Sequence, residues 1–133
     1  MNRSSPDLTQ PVDRILVVDD LPDNCFLLQT LLESEGYQVE VVDNGQAALA
    51  SVVSHPPKLI LLDVMMPDMS GFEVTRRIRQ NLTLPFIPIL LVTGHNEPTP
   101  ADGFGVGADG WIRKPIDFEQ LLHRIQTILL PQA

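Results

Sequence analysis

The sequence predicts an α/β domain: a doubly wound, five-stranded parallel sheet of order 2-1-3-4-5 with helices on both faces. Three observations carry that expectation. Short apolar runs alternate with segments of helical period along most of the chain. The runs, such as ILVV and LILL, are nearly unbroken rather than alternating with polar residues, so each suits a strand covered on both faces. Five strand–helix units use up the 133 residues, and right-handed crossovers then wind the sheet outward in two directions from its centre.

Taken in order, residues 1–12 form a polar, proline-containing stretch expected to be a flexible tail, with the domain over 13–131. The strand runs are 15–18, 39–42, 59–62, 87–92 and a short one at 111–112. The first helix carries Leu28, Leu31 and Leu32 on one face, with Asp23 as its expected cap and Gly36 ending it. Asp43 with Gln46, Ser70 with Glu73, and Asp117 with Gln120 match or approximate the capping-box spacing and mark three more helix starts. The last helix repeats Phe118, Leu121, Leu122, Ile125, Ile128 and Leu129 at three- and four-residue steps, with Pro131 just beyond. Between the fourth and fifth runs the pattern fails, because NEPTPADGFGVGADG holds Pro98, Pro100, Gly103, Gly105 and Gly107. Glycine costs about 1 kcal/mol in a helix interior relative to alanine, and proline more. Thr99 and Pro100 suit a single turn, so the fourth helix is expected to be short or irregular.

Composition narrows the function. A formal charge of −8, from 9 basic and 17 acidic residues, argues against a nucleic-acid partner, which draws on clustered Lys and Arg. Cations and basic protein surfaces fit better. The apolar runs are strand-sized, well short of the roughly 18 residues of a membrane span, and MNRSSPDLTQPV lacks the apolar core of a secretory signal. No membrane contact and a cytoplasmic location are therefore expected. Cys25 stands alone, which agrees with a reducing compartment and reads as a small core residue.

Two of the apolar runs end in acids: Asp19 and Asp20 close the first, Asp63 the third. In a sheet of this order strands one and three are neighbours, and the crevice where the winding reverses lies between their carboxyl ends. Three carboxylates meeting there raise one another's pKa and destabilise the fold. A hard divalent cation removes that cost, and one or two carboxylates with open positions for water and phosphate suit magnesium. The bland alternative is that each acid merely caps a turn or faces solvent. Lys114, in the RKP string 113–115, ends strand five at the same edge, within reach of Asp63 or a phosphoryl oxygen. Thr93 closes strand four, where its hydroxyl can donate to a bound phosphate.

As a set, Asp19-Asp20, LLDVMMPDMSG around Asp63, Thr93 and Lys114-Pro115 resemble the receiver domain of bacterial two-component response regulators. The likeness runs over 14–130 and includes a flavodoxin-like fold. It implies that Asp63 is the phospho-acceptor, charged by a sensor histidine kinase, a phosphotransfer protein or a small phosphodonor. It implies Mg²⁺ (or Mn²⁺) held by Asp20, Asp63 and the Met65 backbone carbonyl, with Asp19 acting through water. Lys114 and Thr93 would hold the phosphoryl oxygens, Pro67 and Gly71 would shape the loop after the acceptor, and the bond before Pro115 would be cis. Thr93 and Trp111 would form the switch, although Trp111 reads equally well as core filling. Such a protein is no enzyme beyond its own phosphorylation and dephosphorylation. It signals to a downstream protein, unnamed by the sequence, through the face of the fourth helix, fifth strand and fifth helix, as a monomer or a phosphorylation-dependent homodimer.

Some residues depart from the family pattern or suggest rivals. Gly94 stands where many receivers have alanine, and His95 and His123 read as exposed residues. GFGVGA at 103–108 matches a dinucleotide fingerprint, but a proline-rich loop precedes it and a strand follows it, the reverse of what that motif needs. A phosphatase of the haloacid dehalogenase type needs a second Asp two residues after the nucleophile; here Met65 stands there and cannot transfer protons. A module that keeps the fold without signalling by phosphate is the remaining rival.

Overall fold

The computed structural model describes residues 13–94 and 107–130. The expected tail, His95, the fourth helix and most of the GFGVGA string lie outside the described residues. The elements run β1 (Arg14–Val18), α1 (Pro22–Ser34), β2 (Gln38–Val42), α2 (Gly45–Ser54), β3 (Leu59–Asp63), α3 (Gly71–Gln80), β4 (Ile89–Thr93), β5 (Gly110–Arg113) and α4 (Phe118–Leu129). All five strands pair in parallel, in the order β2-β1-β3-β4-β5.

Strand periodicity divides the core into two layers. Ile15, Val17, Leu59, Leu61, Leu90 and Ile112 pack with Leu28 and Leu32 of α1 and Leu121 and Ile125 of α4. The intervening residues Leu16, Val18, Ile60, Leu62, Ile89 and Leu91 pack with Ala48 and Val52 of α2 and Val74 and Ile78 of α3. Successive side chains of a strand point to opposite faces, so an unbroken apolar run supplies both layers at once. Each such side chain buried contributes about 1.5–3 kcal/mol. β1, β3 and β4 are buried throughout, whereas the edge strand β2 is exposed to half-buried.

The helix ends correct several expectations. α1 starts at Pro22, its N-cap is Leu21, and no side chain caps it; Asp23 sits inside the first turn, because the fixed φ of proline favours the first helical position. Asn44, not Asp43, caps α2, accepting from Ala47 N at 2.8 Å. Ser70 accepts from Glu73 N at 3.2 Å, but the Glu73 carboxylate turns to Arg76 and Arg77 instead of completing the box. Asp117 accepts from Gln120 N at 3.1 Å. Gly36 follows the α1 C-cap at φ 97°, the left-handed conformation that glycine takes without strain. β4 begins at Ile89 rather than residue 87, since Pro88 has no N–H to give the ladder.

At the amino edge of β4 and β5, Arg79 of α3 gathers the chain. It donates to Gly107 O at 2.9 Å and Ile87 O at 2.8 Å and pairs with Asp109 at 2.8 Å. Its guanidinium lies 4.8 Å from the Phe86 ring centroid. Asp109 in turn accepts from Ile89 N at 2.8 Å.

Candidate functional site

The parallel register brings the acids together. Val18 pairs with Leu62, and Asp63 with Val92, so Asp19 and Asp63 leave adjacent strands at the same level. Strand parity puts positions 19, 63 and 114 on the α1/α4 side, and positions 93 and 111 on the α2/α3 side. One ligand oxygen each of Asp19, Asp20 and Asp63 lies within 4.8 Å of the others. Asp19 and Asp63 are buried, and Asp20 is half-buried.

Each group is held by the backbone that surrounds it. Asp19 accepts from Leu21 N at 2.9 Å and Asn24 Nδ2 at 3.3 Å, while the Cys25 thiol donates to its carbonyl at 3.1 Å. Asp63 accepts from Met65 N at 3.1 Å through Oδ1 and from Lys114 Nζ at 3.2 Å through Oδ2. Lys114 N donates to Thr93 O at 2.7 Å, which fixes the end of β5 beside the end of β4. The Lys114–Pro115 bond is cis. The Met65 side chain stands exposed, and a thioether offers no acid–base chemistry.

The loop after Asp63 is pinned at both ends. Gly71 N donates to Val64 O at 2.8 Å, and a Cβ at Gly71 would meet Asp63 O at 2.5 Å, so only glycine allows this approach. Asp68 reaches across to α2, accepting from Gly45 N at 3.0 Å and Gln46 N at 3.2 Å. The Gly45 N–H, followed by that of Gln46, holds the Asp68 carboxyl below its usual range. Sequence reasoning missed Asp68, Asn24 and Arg79. The MPD string ahead of a helix cap is ordinary loop composition, and no spacing rule links residue 68 to residue 45.

The electrostatics leave the site short of positive charge. Burial pushes the Asp63 carboxyl from 3.8 up to about 6; Lys114 opposes that shift, Asp19 adds to it, and the Met65 N–H opposes it. A carboxylate cluster with one lysine beside it is what a bound divalent cation would relieve. Among the described residues, the buried Thr93 Oγ1 has no hydrogen-bond partner, although a buried hydroxyl normally has one. Hard oxygen donors, uncompensated charge and an orphaned hydroxyl together fit a divalent cation and an anionic group. Trp111 packs partly buried against the α2/α3 layer. The Arg113 guanidinium lies 5.3 Å from its ring centroid and donates to Gly94 O at 2.9 Å.

Among the described residues no helix is long and apolar enough to cross a membrane. Comparison with known proteins agrees with this geometry. The family described as "Response regulator receiver domain" matches residues 15–126. A probable cyclic di-GMP phosphodiesterase of Vibrio cholerae is 38% identical over 97% of this chain, which spans only 30% of that protein. Protein PilH of Pseudomonas aeruginosa is 35% identical over 87% of this chain and 97% of its own length. A high-resolution structure of the chemotaxis response regulator CheY4 of Vibrio cholerae superposes with a TM-score of 0.82 at 35% identity, covering 90% of this chain and all of that one. With the sheet order, the acidic trio and the family match in agreement, the chain belongs to the response regulator receiver domains.

Proposed function

We propose that the chain is the phospho-accepting receiver of a two-component phosphorelay, with Asp63 taking a phosphoryl group from a phosphohistidine of a sensor histidine kinase or phosphotransfer protein. The observation that carries this reading is the Asp63 carboxylate, buried beside Asp19 and Asp20 and held by Lys114 at 3.2 Å. A carboxylate oxygen of Asp63 attacks phosphorus in line, the phosphorus–nitrogen bond breaks, and the electron pair leaves with the donor imidazole. Asp20, Asp63 and the Met65 carbonyl would hold Mg²⁺ (or Mn²⁺), with Asp19 acting through water; when bound, the ion neutralises charge on the acids and the phosphoryl oxygens. The Lys114 ammonium can donate to one phosphoryl oxygen and the Thr93 hydroxyl to another. Positioning and charge compensation supply nearly all the catalysis such a transfer needs.

The donor's approach is also suggested by shape. A cleft of about 270 Å³ lies beside the site, lined by Leu27, Leu28, Pro115, Ile116, Phe118 and Lys114 itself. Leu27 and Phe118 of that lining are exposed. Apolar surface next to the reactive edge suits a partner helix that delivers the donor histidine. On this reading Thr93 and Trp111, which share a sheet face, carry occupancy of the site to a downstream protein, and the protein works in the cytoplasm. Intact-mass measurement with acetyl phosphate and Mg²⁺ tests the core of it. The native chain should gain one phosphoryl adduct, and Asp63→Asn and metal-free samples none. An adduct on Asp63→Asn, or no adduct on the native chain under any metal condition, would overturn the reading.

A further inference from the structure

We infer that Asp68 is a positioning residue for the divalent-cation site: by capping α2 it holds in place the loop that carries Met65. The inference rests on the metal-dependent reading above. Asp68 lies five residues after Asp63, in the loop that leads to α3, yet its two carboxylate oxygens bond to the first backbone N–H groups of α2, at Gly45 and Gln46. Those donors are among the ones a helix start leaves unsatisfied, and a negative side chain there also meets the positive end of the helix dipole. Asn44 satisfies only Ala47 N, so the two side chains divide the first turn of α2 between them. A Cβ at Gly45 would lie 2.9 Å from Met69 Cβ, so the loop and the helix start are packed together as well as bonded.

The consequence reaches the site through the loop backbone. Met65 is fixed on one side by its N–H to Asp63 Oδ1 at 3.1 Å. Gly71 N to Val64 O closes the far end of the loop at 2.8 Å. Residues 66 to 70 span the gap between these fixed points; Met66 and Met69 pack on the α2/α3 core layer, and Asp68 supplies hydrogen bonds from this stretch to the start of α2. A backbone carbonyl serves as a cation ligand only if its peptide plane is held still, and residues that orient ligands typically shift metal affinity by about 10- to 100-fold when removed. Asp68 acts through hydrogen bonds to backbone, one at each carboxylate oxygen, so asparagine, which keeps a single acceptor oxygen, should do only part of its work.

The experiment compares native protein with Asp68→Ala, Asp68→Asn and Asn44→Ala, titrating each with Mg²⁺ by calorimetry and following unfolding in metal-free buffer. Asp68→Ala should weaken Mg²⁺ binding by about tenfold, the low end for such residues because the loop is exposed. Asp68→Asn should fall between native and Asp68→Ala, since asparagine keeps one of the two acceptor oxygens and still caps helices. Asn44→Ala removes a cap from the same turn of α2, so it should lower stability and leave Mg²⁺ affinity unchanged, which separates positioning from mere weakening of α2. Native affinity in Asp68→Ala would overturn the inference, and so would a loss of Mg²⁺ affinity in Asn44→Ala equal to that in Asp68→Ala, which would assign the effect to weakening of α2. Failure of the native protein itself to bind Mg²⁺ would instead sink the metal-dependent reading.

Discussion

The two edges of the sheet treat charge in opposite ways. At the amino edge Arg79 meets two carbonyls, a carboxylate and an aromatic ring; its charge is compensated on every side. At the carboxyl edge three carboxylates share Lys114, and the Asp63 carboxyl is driven up to about 6. A buried charge that is fully partnered holds a fold together, whereas one left short of partners holds a place for something that arrives later. The same protein thus spends charge on cohesion at one end and stores electrostatic strain at the other.

This contrast makes predictions of opposite sign. Arg79→Ala should destabilise the fold by about 2–3 kcal/mol in urea unfolding, because several part-buried acceptors lose their donor together, while the rate of phosphorylation by acetyl phosphate changes little. A neutral result would mean that the amino edge is not held by this residue. Asp63→Asn in metal-free buffer near neutral pH should do the reverse, stabilising by about 1–2 kcal/mol as one like charge leaves the trio. A loss of stability there would show that Lys114 already compensates the acids.

A pH series sharpens the same point with a smaller effect. Asp63 ionises at 3.8 when unfolded and at about 6 when folded, so between those values the folded chain keeps a proton that the unfolded chain has lost. Metal-free protein should therefore lose stability as pH rises through that window, and saturating Mg²⁺ should remove the loss; stability rising across the window would contradict the raised value. The smallest effect belongs to α3, where Glu73 lies half-buried between the exposed Arg76 and Arg77, which hold its carboxyl down to about 2. That contribution is present above its ordinary 4.5 and is lost only as pH falls toward 2, and exposed pairs add little. Glu73→Gln should leave the unfolding midpoint within error at neutral pH and physiological salt.

Much of this was legible in the chain. Run length and lack of alternation gave the parallel sheet, and the acids that end ILVV and LILL gave the trio. Local chemistry was harder. Asp43 and Asn44 both suit a helix start, and the point where the chain leaves β2 decided for Asn44; Pro22 likewise displaced Asp23. Arg79 and Asp68 left no sign at all, because a single side chain that bonds to backbone 8 to 28 residues away creates no periodicity and completes no motif. Sequence patterns record what repeats, and these two contacts happen once.

The setting of Cys25 has a practical consequence. It is the sole cysteine of the chain, 7% exposed, with its sulfur turned to the Asp19 carbonyl and burial, aided by the surrounding acids, pushing its pKa up to about 11. Thiolates, not thiols, react with maleimides and disulfide reagents. Engineered surface cysteines can therefore carry fluorophores or spin labels while the native sulfur stays silent, with no need for a cysteine-free background.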